Sequence, residues 1–107
     1  MSKLKKALIL LGLLVAMPLT TSATVVKCTA YTGDEGGYIT ASGLGLQDGY
    51  IACDFLPFGT IVKINGRTYT VQDRIGENST NHIDIYMENY NEAIQFGVQY
   101  IDVDIKE

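Results

Sequence analysis

Apolar and polar residues alternate along much of residues 24–107, as they do in strands that bury one face. The clearest case is the stretch TIVKINGRTYTVQD, residues 60–73, in which two alternating segments flank Asn65-Gly66. Asn-Gly is a preferred pair for a two-residue type I′ turn, so this stretch predicts a β-hairpin. The β-branched and aromatic segments 24–32, 50–54 and 82–86 predict three further strands.

The last part of the chain predicts one helix and a closing strand. In NYNEAIQFG, Asn89 is a suitable N-cap, Glu92 follows three residues later, and Gly97 suits the position just after the helix. The helix is short and must therefore pack on the sheet to be stable. The segment 98–105 then predicts the final strand, with Ile101, Val103 and Ile105 on one face.

The order of these elements predicts a mainly β protein of one domain. The glycine-rich segments 33–37 and 43–49 predict loops, with a short strand or bend between them. Six or seven short strands with one short helix are typical of a small closed β-barrel, and we expect six strands.

The first 23 residues predict a secretory signal peptide. Lys3, Lys5 and Lys6 precede the uncharged apolar run 7–17, and the small residues of 21–23 suit a signal peptidase. The run is shorter than the ~20 residues of a membrane span, although an uncleaved N-terminal anchor is the alternative. We expect cleavage after Ala23 and secretion of the domain 24–107.

The charge of the predicted domain excludes some partners. The first 23 residues hold three of the eight Lys and Arg residues and none of the twelve Asp and Glu residues, so residues 24–107 carry a net charge of −7. Such a surface disfavours nucleic acids and anionic membranes but not a neutral glycan. We expect a monomer without a stable membrane association and without a cofactor.

Two cysteines, Cys28 and Cys53, are present. An even number of cysteines in an exported chain predicts a disulfide. Two reduced, buried thiols are the alternative. One histidine and two separated cysteines do not form a zinc site.

Three aspartates lie next to apolar strand residues: Asp54 ends YIACD, Asp73 ends YTVQD, and Asp84 lies inside HIDIY. Burying a carboxylate is costly unless it is paired or hydrogen-bonded, so these positions need an explanation. A structural explanation is that each caps a turn or loop. A catalytic one is that neighbouring carboxylates repel, so that one keeps its proton to higher pH. A metal site is a third alternative, which no ligand spacing supports.

The other acidic residues fall in loops, on a helix face or at exposed strand positions. We expect them to be solvated: Asp34, Glu35, Asp48, Glu77, Glu88, Glu92, Asp102, Asp104 and Glu107.

Between Lys27 and Ile105 the chain resembles the three-aspartate (3D) domain, a module named for its aspartates. The resemblance lies in the order and spacing of CTAYT, TASG, IACDFLPFGT, VQDRIGENSTNHIDIY, NEAIQFG and VQYIDVDI. That family is similar to the catalytic barrel of murein lytic transglycosylase A and, more distantly, to expansin and rare-lipoprotein-A barrels. The resemblance implies a double-psi β-barrel that acts on peptidoglycan, and therefore an extracellular location at the cell wall.

The resemblance also implies roles for single residues. The family aspartates correspond to Asp54, Asp73 and Asp84, with Asp84 as the general acid and base and the other two supporting it. Asp84 would protonate the oxygen of a β-1,4 bond and then activate the muramic acid 6-hydroxyl, which yields a 1,6-anhydro product. The residues expected to contact the glycan are Tyr31, Thr40, Ser42, Arg74 and His82.

Several alternatives stay open. His82 can hold glycan or tune Asp84, or it can be a surface residue at the start of a strand. Tyr31 can stack on a sugar ring or serve only in packing. The whole protein can also be a non-catalytic glycan-binding or wall-loosening module of expansin type, or a proenzyme-like or inhibitor protein that uses the barrel as a scaffold.

Overall fold

A computed structural model describes residues 24–106 as seven strands and two short helices. The predicted signal peptide lies outside the described residues. The strands are β1 (Val25–Tyr31), β2 (Tyr50–Cys53), β3 (Ile61–Ile64), β4 (Arg67–Asp73), β5 (His82–Tyr86), β6 (Gln99–Asp102) and β7 (Asp104–Ile105). The helices are α1 (Gly33–Gly36) and α2 (Tyr90–Phe96).

All seven strands belong to one sheet with the order β6-β1-β5-β2-β4-β3-β7. The mainly β prediction is therefore confirmed. The expected count of six strands is wrong, because the predicted final strand is divided at Val103 into β6 and β7. These two strands pair with β1 and β3 respectively. Within residues 24–106, no ladder of hydrogen bonds joins β6 to β7.

The hairpin and the second helix form where local signals predict them. Asn65 and Gly66 both have positive φ angles, 51° and 83°, as a type I′ turn requires. They join β3 to β4 as an antiparallel pair. At the start of α2, the Asn89 side chain accepts a hydrogen bond from the Glu92 N–H at 2.9 Å, and Gly97 ends the helix with φ of 62°.

Helix α1 lies where the sequence predicts a loop. Its single turn is held by the Glu35 carboxylate, which accepts hydrogen bonds from the Thr32 N–H at 3.0 Å and the Thr32 hydroxyl at 3.4 Å. This local bonding offsets the poor helix propensity of its two glycines. Neither α1 nor α2, the two helices of residues 24–106, is long and apolar enough to cross a membrane.

The core lies on one face of the central strands. In β5, Ile83 and Ile85 are buried among apolar residues of the neighbouring strands, whereas Asp84 points to the other face, as the period of a strand requires. The largest fully buried side chains are Ile51, Ile64, Ile83, Val62, Val71, Cys28 and Cys53.

The structure does not form the predicted Cys28–Cys53 disulfide, and both thiols are free and buried. Strand β5 explains the separation. Cys28 pairs in register with Ile83 on one side, and Cys53 pairs with Ile83 on the other. Two strand spacings place their Cα atoms about 10 Å apart, and Cα atoms more than about 7 Å apart cannot be bridged without backbone movement.

Candidate functional site

The polar face of four adjacent strands brings two of the predicted aspartates together. Asp84 in β5 pairs with Thr29 in β1 and with Ala52 in β2. Ala52 also pairs with Asp73 in β4, after a register shift between Ile51 and Ala52. Partners in register share one face of a sheet, so Asp84 and Asp73 flank the small Ala52 side chain.

A cleft of about 230 Å³ opens at this point. Strands β1, β2, β4 and β5 form its floor, and α1 and the segment after β4 form its rim. The residues that line it are Tyr31, Glu35, Gly36, Ala52, Asp73, Arg74, Ile75 and Asp84. Among the predicted site residues, Asp73, Asp84, Tyr31 and Arg74 therefore meet in one cleft.

Asp84 is the partly buried carboxyl group of the cleft. Burial raises its pKa, because the charged form loses solvation. The Thr29 hydroxyl opposes this by donating a 2.9 Å hydrogen bond to Asp84 Oδ1, and His82 also favours the charged form. The negative charges of Glu35 and Glu77 add to the upward shift. The result is a carboxyl group that keeps its proton to higher pH than a solvated one.

Asp73 has a different environment, rich in hydrogen-bond donors. Its Oδ1 accepts the N–H groups of Ala41 and Arg74, each at 2.9 Å, and its Oδ2 accepts the Tyr31 hydroxyl at 2.9 Å. These three donors hold the carboxylate in one orientation beside Asp84. The pKa of Tyr31 is raised, first by burial and then by its hydrogen bond to Asp73. Asp73 is thus fixed as an acceptor at the edge of the cleft.

Asp54 does not line the cleft. Its carboxylate accepts the N–H groups of Gly76 at 3.0 Å, Glu77 at 2.7 Å and Ile75 at 2.8 Å. These bonds, that of Gly76 foremost, lower its pKa to about 2. Asp54 therefore holds the loop after β4 in place, which agrees with the structural alternative for this aspartate.

Arg74 is fixed at the rim of the cleft. One guanidinium nitrogen donates a 2.8 Å hydrogen bond to the Cys53 carbonyl, and the guanidinium carbon lies 3.9 Å from the centre of the Phe58 ring. A planar guanidinium stacked on an aromatic ring keeps donors free at its edge. Arg74 is thus positioned to donate a hydrogen bond to a ligand in the cleft.

The Tyr31 ring has a packing role. It is only 7% exposed, and its centre lies 5.8 Å from that of the Tyr86 ring at an interplanar angle of 59°. A Cβ atom on residue 36 would lie only 2.9 Å from the Tyr31 ring, so Gly36 allows α1 to pack closely against that ring. Little of the ring face is therefore open to a sugar, and Tyr31 acts on the cleft through its hydroxyl.

Three other predicted contact residues lie outside the cleft. Thr40 is buried, and its hydroxyl is 2.9 Å from that of Ser42, in the turn that supplies the Ala41 N–H to Asp73. His82 is also buried, at 8% exposure, so the alternative of a surface histidine is wrong. Its ring bonds to Thr29 and Glu77 instead of facing the cleft.

Glu35 is a residue of the cleft that the sequence analysis assigned to solvated charge. It lines the cleft from α1 and acts on Asp84 through its negative charge. The signal that could have found it is the Thr32-x-x-Glu35 spacing, a pattern typical of helix starts. Three carboxylates thus surround the cleft, yet within residues 24–106 no group of three His, Cys, Asp or Glu side chains is arranged to hold a metal ion.

Comparison of the chain with known protein families and with curated proteins finds no match. The resemblance to the three-aspartate family therefore stays a prediction from the quoted motifs. What the cleft itself offers is a partly buried acid beside a fixed carboxylate, within reach of an arginine. This arrangement suits proton transfer to a neutral, oxygen-rich ligand.

Proposed function

We propose that this protein is an exported enzyme that cleaves the β-1,4 glycosidic bonds of peptidoglycan. The observation that carries the proposal is Asp84, a partly buried carboxyl group with a raised pKa that opens into a cleft beside Asp73. A carboxyl group that keeps its proton can act as a general acid on a glycosidic oxygen. The signal peptide predicted at residues 1–23 supports a location outside the cell, at the wall.

In the proposed reaction, Asp84 first gives its proton to the oxygen that links muramic acid to glucosamine, and the bond between that oxygen and the muramic acid C1 breaks. The muramic acid 6-hydroxyl oxygen then attacks C1. Its proton returns to Asp84, which is ready for the next cycle. The product carries a 1,6-anhydro ring, and no water and no second catalytic carboxylate take part.

Asp73 and Arg74 carry opposite charges and support this reaction in different ways. The Asp73 carboxylate is oriented by three donors and can stabilise the positive charge that develops on the sugar ring. The fixed Arg74 guanidinium can donate to hydroxyl or carbonyl oxygens of the glycan. Asp54 contributes indirectly, because it holds the loop that begins at Arg74.

The same proposal includes membership of the three-aspartate family and a double-psi β-barrel. The path of the chain supports this closure: β6 and β7 are separated by Val103 alone, yet they pair with β1 and β3, which lie towards opposite ends of the sheet order. Since one residue cannot span a flat sheet of seven strands, the sheet must curl until its two edges approach each other.

A second candidate is a glycan-binding module without cleavage. A second, larger cleft of about 400 Å³ is lined by Tyr86, whose ring packs against that of Tyr31, and by polar residues that include Asp48, Arg67 and Glu88. Two clefts lined by these two neighbouring tyrosines can together accommodate several sugars of a strand. This extended surface favours binding whether or not Asp84 performs chemistry.

Incubation with purified peptidoglycan separates the two candidates. Mass spectrometry of the soluble products should find 1,6-anhydromuropeptides if the enzyme proposal holds. Co-sedimentation with insoluble peptidoglycan, without released products, would support the binding module instead. A folded Asp84→Asn variant is the matched control, since it should retain binding and lose the anhydro products.

A further inference from the structure

Four side chains form a continuous hydrogen-bonded line that starts at Asp84 and leads away from the cleft. The Thr29 hydroxyl oxygen lies 2.9 Å from Asp84 Oδ1 and 2.7 Å from His82 Nε2. The other ring nitrogen, His82 Nδ1, lies 3.1 Å from Glu77 Oε1. His82 is buried, whereas the Glu77 side chain is 55% exposed. The line therefore connects the acid in the cleft to the solvent.

The hydrogen bonds of this line need one hydrogen more than the Thr29 hydroxyl and a neutral His82 ring supply. Three hydrogen bonds need three hydrogens, and the Thr29 hydroxyl supplies one of them. A neutral His82 ring supplies a second, on one nitrogen only. The third must come from a protonated carboxyl group or from a doubly protonated ring. If Asp84 and Glu77 are both ionised and the ring is neutral, one of the three contacts is left without a hydrogen.

We propose that Thr29, His82 and Glu77 form a proton relay that stores the acid proton of Asp84 and exchanges it with solvent. The two placements of the stored proton interconvert in one concerted step. Asp84 passes its proton to the Thr29 oxygen while the Thr29 proton moves to His82 Nε2. The carboxyl group becomes ionised and the neutral ring becomes an imidazolium, so charge and hydrogens balance. His82 Nδ1–H donates to Glu77 throughout.

The assignment of catalysis to this relay rests on the proposed function, but the relay itself does not. In the glycosidase reaction the muramic acid 6-hydroxyl returns the proton that Asp84 gives up, and between cycles the relay restores the proton whenever Asp84 becomes ionised. Thr29, His82 and Glu77 would then be positioning residues, since none of them touches the sugar. If the protein only binds glycan, the shared proton is still present and still measurable.

The charged groups around the relay come from several elements. Glu35 faces Asp84 from α1, and Asp73 and Arg74 lie across the cleft on and after β4. Lys27 lies opposite His82 in the β1 register. A charge change at Glu77 therefore acts on Asp84 both through space and through the relay, and the experiment must separate the two.

The loop held by Asp54 gives the relay its outer end. Asp54 accepts the backbone N–H of Glu77 at 2.7 Å, and the Glu77 side chain then reaches His82 Nδ1. Asp54 is thereby linked to the cleft without entering it. All three predicted aspartates thus belong to one arrangement, in which Asp84 and Asp73 line the cleft and Asp54 holds the loop that carries Glu77.

Glu77→Gln is the informative change. A glutamine amide can donate a hydrogen to His82 Nδ1, so a neutral ring then donates from Nε2 to Thr29, and Thr29 donates to an ionised Asp84. All three bonds are satisfied without the stored proton. We therefore expect the titration midpoint of the Asp84 carboxyl carbon, followed by NMR, to fall by about one pH unit. We also expect ring nitrogen shifts to report hydrogen on Nε2.

Variants of Thr29 separate the two effects of Glu77→Gln, the loss of the relay and the loss of a negative charge. When Glu77→Gln is made in a Thr29→Val background, it still removes a negative charge, but the hydrogen-bonded path through the hydroxyl is already broken. The shift caused by Glu77→Gln should then be small, whereas in Thr29→Ser, which keeps the hydroxyl, it should persist. Equal shifts in all three backgrounds would overturn the relay. Because NMR of the folded protein reads the proton directly, peptidoglycan digestion separately tests the proposed function.

Discussion

Asp73 and Asp84 both pair with Ala52, one across each edge of strand β2. Their two environments differ in the way that acid and supporting carboxylates of enzymes differ. Burial favours the protonated form of Asp84, whereas Asp73 accepts hydrogen bonds from three donors. The two aspartates lie on either side of Ala52 in one cleft, which offers a site for a small, neutral part of a ligand. The following predictions depend on this arrangement.

Asp84→Asn should abolish most cleavage without unfolding the protein. Asparagine has nearly the same size and still accepts the Thr29 hydroxyl, but it cannot donate a carboxylic acid proton. General acid and base catalysis contributes about 10²–10⁴-fold, so release of 1,6-anhydromuropeptides should fall by that order. The control is Asp102→Asn, at an exposed strand position away from the cleft. Equal activity of both variants would remove Asp84 from the mechanism.

Ala52→Val should obstruct the cleft from its floor. Ala52 is 3% exposed and stands between the two carboxylates, so added methyl groups occupy the space of the ligand. Valine suits a strand, and we therefore expect the thermal midpoint to change by only a few degrees. Binding to insoluble peptidoglycan should weaken along with cleavage. Undiminished binding would show that the glycan lies elsewhere.

Asp54 should stabilise the protein in a pH-dependent way. Its pKa of about 2 in the folded protein lies below the ordinary value, so its contribution is complete above about pH 4 and is lost as the pH falls towards 2. Asp54→Ala should cost about 1–2 kcal/mol at pH 7, the size of a lost helix cap. Urea unfolding at several pH values measures this cost. A cost that stays constant down to pH 2 would contradict the assigned role.

Asp84 should have the opposite effect on stability. Because its folded pKa is raised, the folded protein holds a proton that the unfolded chain releases near pH 4. The unfolding free energy should therefore decrease as the pH rises from about 4 through the folded pKa. Asp84→Asn lacks this ionisation, so the variant should gain stability relative to the parent over the same range. Urea titrations of both proteins at matched pH values test the sign.

The two cysteines should react only after unfolding. Burial raises the pKa of Cys28 to about 11 and also raises that of Cys53, and a thiol without thiolate character reacts slowly. Iodoacetamide without reductant should add no label to the folded protein and two labels in guanidinium chloride. Intact-mass spectrometry counts the labels. Failure to label in denaturant would indicate the disulfide after all.

The sequence by itself determined the elements that depend on residues close together in the chain. Asn65-Gly66 forms the predicted hairpin because few other residue pairs adopt two positive φ angles. The segment 82–86 forms the predicted strand because its alternation separates a buried face from a polar one. Asn89 and Gly97 bound the predicted helix through their own caps.

The tertiary structure alone decided which of these residues meet. The placement of β5 between β1 and β2 keeps the cysteines apart and joins Thr29 to Asp84. The tertiary structure also places the Asp54 carboxylate against the loop after β4, and it places Glu35 at the cleft. Side-chain alternation follows from backbone geometry along one strand, but lateral neighbours depend on pairings between segments far apart in the chain. Those pairings are selected by the free energy of the whole sheet.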